Sequence, residues 1–292
     1  MRNRARSQTA PTAIRMRCAR FVLYLSAHGI IDGMNRPTHI LVLAIVLTAT
    51  SCSHAPPPPP PTHIPAAWSY EGDSGPKHWD KLDPEYAFCG YGTTQSPVDI
   101  VNTKPEDLPN IVFHYQPSKL TVQNTGHTIQ VEVGEGSSIE VNGESYDLVQ
   151  LHFHSPSEHR INGKPADAEL QLVHRNVAGQ LAIVAVLLRT GQEDTVLREV
   201  WNNLPSAPGP GKTMDESINL EGTLPAQRRT YRYDGSQTTP PCAEIVTWLV
   251  MRDAMPVGAK QLEAFTKIYK NNNRPVQPLN QRTVIEDTSL NR

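Results

Sequence analysis

Short segments of alternating apolar and polar residues follow one another along the chain from Trp68 onward, separated by Gly, Asn and Pro. Such alternation is typical of β-strands with one buried face. The clearest pairs of segments are residues 120–124 with 128–133, and residues 138–141 with 144–148. Asn142-Gly143, between the second pair, is favoured in two-residue hairpin turns. The pattern therefore predicts two β-hairpins.

Helical patterning is sparse by comparison. Residues 181–188 are all apolar, as in a strand buried on both faces. Stretches typical of helices are confined to residues 195–203 and 258–270. We therefore expect residues 66–292 to form a single, mainly β domain with a few peripheral helices.

The charge of the chain is balanced, with 27 Lys and Arg against 29 Asp and Glu. A formal charge of −2 gives no electrostatic reason to expect a nucleic-acid partner. The eleven histidines direct attention to metal chemistry instead.

A basic start, an apolar run and small residues lie between Met34 and Cys52. This order is typical of a bacterial export signal, and the run at residues 40–49 is too short for a stable transmembrane helix. A membrane anchor helix is the alternative. We expect translation to start at Met34, with residues 1–33 a dispensable extension or an artefact of the assigned start. Residues 1–52 are thus assigned to an extension and an export signal.

Cys52 follows Ala49-Thr50-Ser51, which resembles a lipoprotein cleavage site except that Ala49 stands where Leu or Val is preferred. Six prolines at residues 56–61 predict an extended, semi-rigid spacer within a linker at residues 53–65. We expect an exported, periplasmic protein, or one tethered by a lipidated Cys52 and facing the periplasm or the exterior. An ordinary disordered linker without lipidation is the alternative.

Two of the four cysteines, Cys89 and Cys242, fall in the predicted domain. In an exported protein, one such pair is most simply one disulfide. Two zinc-binding thiolates are the less favoured alternative, because the pair is far apart and has no C-x-x-C spacing.

His152 and His154 are two residues apart in a segment rich in β-forming residues. On a strand, both imidazoles leave the same face and supply two ligands of an open zinc site. Residues 168–174 predict another strand, on which Glu169 and Gln171 share a face while His174 points to the other. A surface or structural role is the alternative for the isolated histidine pair.

Six motifs then occur in one order: residues 95–100 (Gln-Ser-Pro-Val-Asp-Ile), 124–127 (Asn-Thr-Gly-His), 150–159 (Gln-Leu-His-Phe-His-Ser-Pro-Ser-Glu-His), 168–170 (Ala-Glu-Leu), 233–241 (Tyr-Asp-Gly-Ser-Gln-Thr-Thr-Pro-Pro) and 273–279 (Asn-Arg-Pro-Val-Gln-Pro-Leu). From about Trp68 to the C-terminus, this set resembles the α-class carbonic anhydrases of the exported bacterial type. The resemblance implies a large, twisted, mostly antiparallel central sheet with zinc at the floor of a cleft. It also implies a disulfide between Cys89 and Cys242.

The resemblance implies a role for each matched residue. His152 and His154 match the first two zinc ligands. Thr238 matches the gatekeeper, which accepts a hydrogen bond from zinc hydroxide and donates its own proton to a carboxylate, here Glu158. His127 matches the proton shuttle, an imidazole with an ordinary pKa near 6.5.

Further matched positions surround these residues. Gln150 and Glu169 match groups that orient the ligands. The substrate pocket corresponds to Val173, Ile183, Gln237, Thr239 and Trp248. The activity implied is hydration of CO₂ to bicarbonate and a proton, through zinc hydroxide.

Two residues depart from the family pattern. Gln171 stands where the third zinc ligand is a histidine, and its amide oxygen could bind the metal while its NH₂ group donates to Glu169. A carbonyl oxygen is a weaker zinc donor than imidazole, so we expect lower affinity and weakened activity. Gln237 replaces a leucine of the apolar wall that receives CO₂. The alternative function is therefore a catalytically inactive binding module that has lost zinc.

Overall fold

The computed structural model describes residues 19–20, 50–51 and 63–289. The chain divides into two units, residues 1–63 and residues 64–292. In the first unit, β1 (Ala19–Arg20) and β2 (Thr50–Ser51) form a short antiparallel pair. The predicted start at Met34, the export signal with Cys52 and the proline run lie outside the described residues.

The second unit contains strands and a few short helices. The strands are β3 (Asp99–Ile100), β4 (Lys104–Glu106), β5 (Val112–His114), β6 (Ser118–Asn124), β7 (Ile129–Val133), β8 (Ser138–Val141), β9 (Glu144–His154), β10 (Arg160–Ile161), β11 (Lys164–Pro165), β12 (Ala168–Arg175), β13 (Leu181–Gly191), β14 (Lys212–Ile218), β15 (Thr230–Gly235), β16 (Val246–Met251), β17 (Met255–Gly258) and β18 (Ile285–Asp287). The α-helices are α1 (Trp79–Leu82), α2 (Phe88–Tyr91), α3 (Arg198–Asn202) and α4 (Ala259–Ile268). Three 3₁₀ turns lie at Gly72–Ser74, Pro84–Tyr86 and Leu220–Thr223.

One 13-stranded sheet organises this unit, with its main path in the order β14-β6-β7-β9-β12-β13-β16-β15-β18-β4. Strand β13 pairs in parallel with β16 and β17, and β18 pairs in parallel with β4, while the other pairings of this sheet are antiparallel. A separate three-stranded sheet has the order β11-β10-β3. The predicted mainly β fold with a large central sheet is confirmed.

Both predicted hairpins are present, as the pairs β6–β7 and β8–β9. Asn142 and Gly143 have φ values of 52° and 82°, the left-handed backbone that a tight Asn-Gly turn requires. The predicted helices correspond to α3 and α4, with bounds trimmed by a few residues at each end. The apolar run at residues 181–188 is buried throughout in β13.

The two faces of the central strands have different surroundings. On one face, Leu151 and Phe153 of β9 pack with Leu170 and Leu172 of β12 in the largest apolar cluster. Because side chains alternate along a strand, His152 and His154 lie on the opposite face of β9. One face of β9 and β12 thus packs in the large apolar core, and the opposite face carries the two histidines.

Helices long and apolar enough to span a bilayer are absent from the part of the chain that the structure describes.

Candidate active site

The centre of the site is formed by two adjacent strands. β9 and β12 pair antiparallel, and the register places Gln171 opposite His152 and Glu169 opposite His154. Cross-strand partners project from the same face of a sheet. Two imidazoles, one amide and one carboxylate are thereby gathered on a rigid surface, as the spacing of the two segments predicts.

His154 presents a bare ring nitrogen to the site. Its Nδ1 lies 2.6 Å from the carbonyl oxygen of Asn272, and a carbonyl only accepts, so Nδ1 carries a proton and the neutral form of the ring has a bare Nε2. That Nε2 is buried and has no hydrogen-bond partner among the described residues. It lies 3.5 Å from Oε2 of Glu158. With the ring neutral, two acceptor atoms therefore face each other in buried surroundings.

His152 lies beside His154, with ring centroids 4.9 Å apart. Its Nδ1 is 2.9 Å from Oε1 of Gln150, which orients the ring as expected. Burial is the main cause that lowers the pKa of His152 to about 3, and the neighbouring His154 lowers it further. The ring is therefore neutral at physiological pH, which is the form that binds metals.

The Gln171 amide is held by two carboxylates. Its Nε2 donates to Oε2 of Glu158 at 2.9 Å and to Oε1 of Glu169 at 3.0 Å. Because carboxylates only accept, the amide nitrogen must face them, and Oε1 faces away from them. The predicted donation from Gln171 to Glu169 is present, and Glu158 is an additional partner that the sequence did not predict.

Glu158 is only 1 % exposed and receives hydrogen bonds at both oxygens. Oε1 accepts from the backbone N–H of Arg274 at 2.8 Å, and Oε2 accepts from Gln171. Thr238 is 5 % exposed, and within the described residues no hydrogen bond joins its hydroxyl to Glu158. Among the described contacts, the side chain that donates to this carboxylate is Gln171 rather than the expected Thr238.

A buried polar network continues from Glu169. Both its oxygens bond His159, through the backbone N–H at 2.8 Å and through Nδ1 at 2.9 Å. The other ring nitrogen of His159 lies 2.6 Å from the Tyr233 hydroxyl, which donates to Ser96. Burial alone would raise the pKa of Glu169, but His159 outweighs it and lowers the pKa to about 2. Glu169 is therefore an ionised acceptor that fixes the Gln171 amide.

His127, the predicted proton shuttle, lies in the loop between β6 and β7 and is half-buried. Its ring stacks on Trp68, with centroids 3.7 Å apart and planes inclined by 7°. Partial burial lowers the pKa of His127. The backbone carbonyl of His127 accepts from Nδ2 of Asn272 at 3.2 Å, so the residue that orients His154 also holds the shuttle loop.

The expected substrate-pocket residues fall into two groups. Val173, Ile183 and Trp248 are buried together in one apolar cluster. Gln237 and Thr239 are partly exposed in the loop after β15.

The predicted disulfide closes the end of that loop. Cys89 and Cys242 are bonded, with their Cα atoms 5.1 Å apart. Arg274 Nη2 donates to the carbonyl of Cys89, and Gln95 Nε2 donates to that of Cys242. These contacts hold both sides of the disulfide against the site.

Four residues that the sequence did not single out support the site: Asn272, Arg274, His159 and Tyr233. His154 and Asn272 are 118 residues apart, and Glu158 and Arg274 are 116 apart. Contacts over such separations leave no local pattern. The one available signal was that each lies in, or next to, a motif of the family resemblance.

Comparison with known proteins assigns the fold and site to a family. Residues 74–288 match the model of the eukaryotic-type carbonic anhydrases. A carbonic anhydrase of Neisseria gonorrhoeae is 40 % identical over 245 residues, covering 83 % of this chain and 95 % of that protein. The chain belongs to the eukaryotic-type carbonic anhydrase family.

Solved structures agree with this assignment. The α-carbonic anhydrase of Thermovibrio ammonificans, in complex with the inhibitor sulfanilamide, has a TM-score of 0.74 and 41 % identity, covering 75 % of this chain and 99 % of that one. Dioscorin in complex with ascorbate has a TM-score of 0.72 and 31 % identity, covering 77 % of this chain and all of that one. The family fold therefore occurs both in carbonic anhydrases and in a protein crystallised with ascorbate.

Proposed function

We propose that this protein catalyses the reversible hydration of CO₂ to bicarbonate and a proton, at a zinc ion held by His152, His154 and Gln171. The observation that carries the proposal is the bare Nε2 of His154, buried without a partner and 3.5 Å from a carboxylate oxygen. A cation relieves the repulsion between two such acceptors. The relatives named carbonic anhydrase support the reaction.

The donor set fits zinc. His152 is a neutral imidazole, and the Asn272 carbonyl holds Nδ1 of His154 so that its Nε2 is the atom available to a metal. The amide oxygen of Gln171 faces away from the two carboxylates. When bound, zinc supplies a water molecule acidified enough to act as a nucleophile near neutral pH. An amide oxygen binds zinc less strongly than imidazole, so we expect weaker zinc affinity and slower turnover than with three histidines.

Other residues act on substrate and proton. His127 accepts the proton released by hydration and passes it to buffer, with its ring held by Trp68. The apolar surface of Val173, Ile183 and Trp248 receives CO₂, and the amide of Gln237 brings water to that surface. Glu158 is held beside the site by hydrogen bonds from Gln171 and the Arg274 backbone.

A second candidate function is a binding module that works without metal. It is favoured by the Gln171 amide, which donates to both Glu158 and Glu169 without any metal between them. The complex of dioscorin with ascorbate supports small-molecule binding by this fold. Under this alternative, a polar organic ligand occupies the cleft in place of CO₂.

One comparison separates the two functions. Zinc content and CO₂ hydration are measured for the purified protein, for Gln171→His and for Gln281→His, a control at an exposed position. We expect stoichiometric zinc and measurable hydration, with tighter zinc binding and faster turnover in Gln171→His only. If the purified protein takes up no added zinc and hydrates no CO₂, the enzymatic proposal is wrong.

We also infer export, with a tether at Cys52. The support is the apolar run before Cys52 and the disulfide of the domain, which is typical of oxidising compartments. Cys52→Ala is expected to move the protein from the membrane fraction to the soluble fraction. An unchanged distribution, with no lipid mass on the N-terminal peptide, would exclude the tether.

A further inference from the structure

One close approach joins a proposed zinc ligand to a buried carboxylate. Nε2 of His154 lies 3.5 Å from Oε2 of Glu158, and the two side chains are 1 % and 0 % exposed. Among the described residues, this Nε2 has no hydrogen-bond partner. A buried acceptor without a partner is unfavourable, so a cation between the two atoms would stabilise the pair.

The distance between the two atoms distinguishes a proton from a metal ion. If a proton on Nε2 joined the pair, nitrogen and oxygen would be about 2.7–2.9 Å apart, as in other charge-assisted hydrogen bonds. Zinc lies about 2.0–2.2 Å from histidine nitrogen and carboxylate oxygen, so two ligands of a tetrahedral ion are about 3.3–3.6 Å apart. The observed 3.5 Å matches the separation of two ligands of one ion.

We propose that Glu158 is itself a ligand of the metal, through Oε2, and supplies the third strong donor beside His152 and His154. The inference rests on the proposed function, because it concerns the same zinc centre. It deepens that function by naming the group that compensates for the missing third histidine. Two histidines and one glutamate are a donor set that occurs in catalytic zinc sites.

Gln171 then acts mainly by positioning this carboxylate. Its Nε2 donates to Oε2 of Glu158 at 2.9 Å, and its other N–H is taken by Glu169 at 3.0 Å. A carboxylate oxygen has two lone pairs, so Oε2 can accept from the amide and still bind a metal. Because a carboxylate is charged, it attracts a divalent ion more strongly than the neutral amide oxygen of Gln171 does.

One backbone segment fixes the two atoms relative to each other. Oε1 of Glu158 accepts from the backbone N–H of Arg274 at 2.8 Å. Two residues earlier, the carbonyl oxygen of Asn272 holds Nδ1 of His154 at 2.6 Å. Donors that are already fixed lose little conformational entropy when they bind an ion, so this arrangement favours metal binding.

The direct test is the position of the ion in zinc-loaded, full-length protein, determined by crystallography with anomalous scattering from zinc. We expect the ion about 2.0–2.2 Å from both Oε2 of Glu158 and Nε2 of His154. A zinc ion held by the histidines, with both oxygens of Glu158 outside bonding range, overturns the inference.

Zinc affinity tests the same assignment in solution. It is measured by competition with a chelator for the natural sequence, Glu158→Gln, Gln171→Met and Glu135→Gln, a control at an exposed carboxylate. Loss of a residue that only orients a ligand costs about 10–100-fold in affinity, so we expect more than about a hundredfold for Glu158→Gln and less for Gln171→Met. The control should bind zinc like the natural sequence. A loss for Glu158→Gln no greater than that for Gln171→Met overturns the inference.

The outcomes separate this inference from the proposed function. Zinc bound through Glu158 without CO₂ hydration supports the inference and overturns the proposed activity. Zinc bound by the histidines without Glu158, with hydration intact, overturns the inference alone. Protein that takes up no zinc overturns both. If Glu158→Gln does not fold, the position of the ion in the natural protein decides.

Discussion

Trp68 lies flat against the ring of His127, the proposed proton shuttle, and covers one face of that half-buried ring. Burial disfavours the charged imidazolium, so the pKa of His127 is lower than 6.5. The ring therefore remains a neutral proton acceptor at more acidic pH than an exposed histidine. The lowered pKa also affects stability. Below pH 6.5 the unfolded chain binds a proton at His127 more readily than the folded protein does, so this residue lowers the free energy of unfolding as the pH falls.

We predict that Trp68→Ala raises the pKa of His127 toward 6.5. The measurement is the pH titration of its ring resonance by NMR, assigned through the His127→Gln variant. Trp68→Phe keeps an aromatic ring in the stack and is expected to shift the pKa less. Identical titrations for the natural sequence and Trp68→Ala would contradict a role for the stack.

At the scale of single residues, the sequence predicted which side chains share a strand face but not which groups they hydrogen-bond. The spacing of His152 and His154, and of Glu169 and Gln171, placed all four on one surface, because alternation along a strand is local geometry. The bond from Gln171 to Glu158 was not predictable, since Glu158 reaches the amide from a loop. A hydrogen bond depends on distances of tenths of an ångström, which no residue pattern encodes.

At the scale of elements, Asn272 joins the end of β9 to the shuttle loop. Its side chain accepts from the backbone N–H of Ser155 at 2.9 Å. It donates to the carbonyls of Phe153 at 3.0 Å and His127 at 3.2 Å, and its own carbonyl bonds His154. One buried residue thus fixes the strand of the proposed zinc ligands relative to the loop of the proposed shuttle.

We predict that Asn272→Ala lowers the free energy of unfolding by about 2–4 kcal/mol, because buried backbone groups lose their partners. It should also slow proton release, and added imidazole buffer should restore part of the hydration rate. Asn273→Ala is the matched control, since Asn273 is half-exposed and its change should stay within about 0.5 kcal/mol. Equal losses in stability, or no rescue by imidazole, would argue against the link.

The elements themselves were predictable where they depend on neighbouring residues. The hairpins β6–β7 and β8–β9 follow from alternation and turn residues, and α4 follows from its amphipathic pattern. The parallel pairing of β13 with β16 does not follow from the local sequence, because Leu181 pairs with Val246, 65 positions further along the chain. Buried parallel strands are uniformly apolar, so their sequences carry little information on register.

At the scale of the whole molecule, the Cys89–Cys242 disulfide joins residues 153 apart in sequence. A cross-link over that separation restricts the unfolded chain and contributes about 5 kcal/mol in the chain-entropy model. Both cysteines are buried, and their carbonyls are also held by Arg274 and Gln95. Because these hydrogen bonds do not depend on the disulfide, the reduced protein should keep its fold at 25 °C while losing stability.

We predict that reduction of the disulfide lowers the melting temperature by roughly 10–20 °C, since 1 kcal/mol corresponds to about 2–4 °C for a domain of this size. Thermal unfolding is followed with and without reductant, beside the double variant Cys89→Ser and Cys242→Ser. The variant should melt near the reduced natural protein and should not respond to reductant, which separates loss of the cross-link from other effects of the reagent. A melting temperature that reductant leaves unchanged, in protein shown by mass to be reduced, would mean that Arg274, Gln95 and the packed sheet already hold the two segments together.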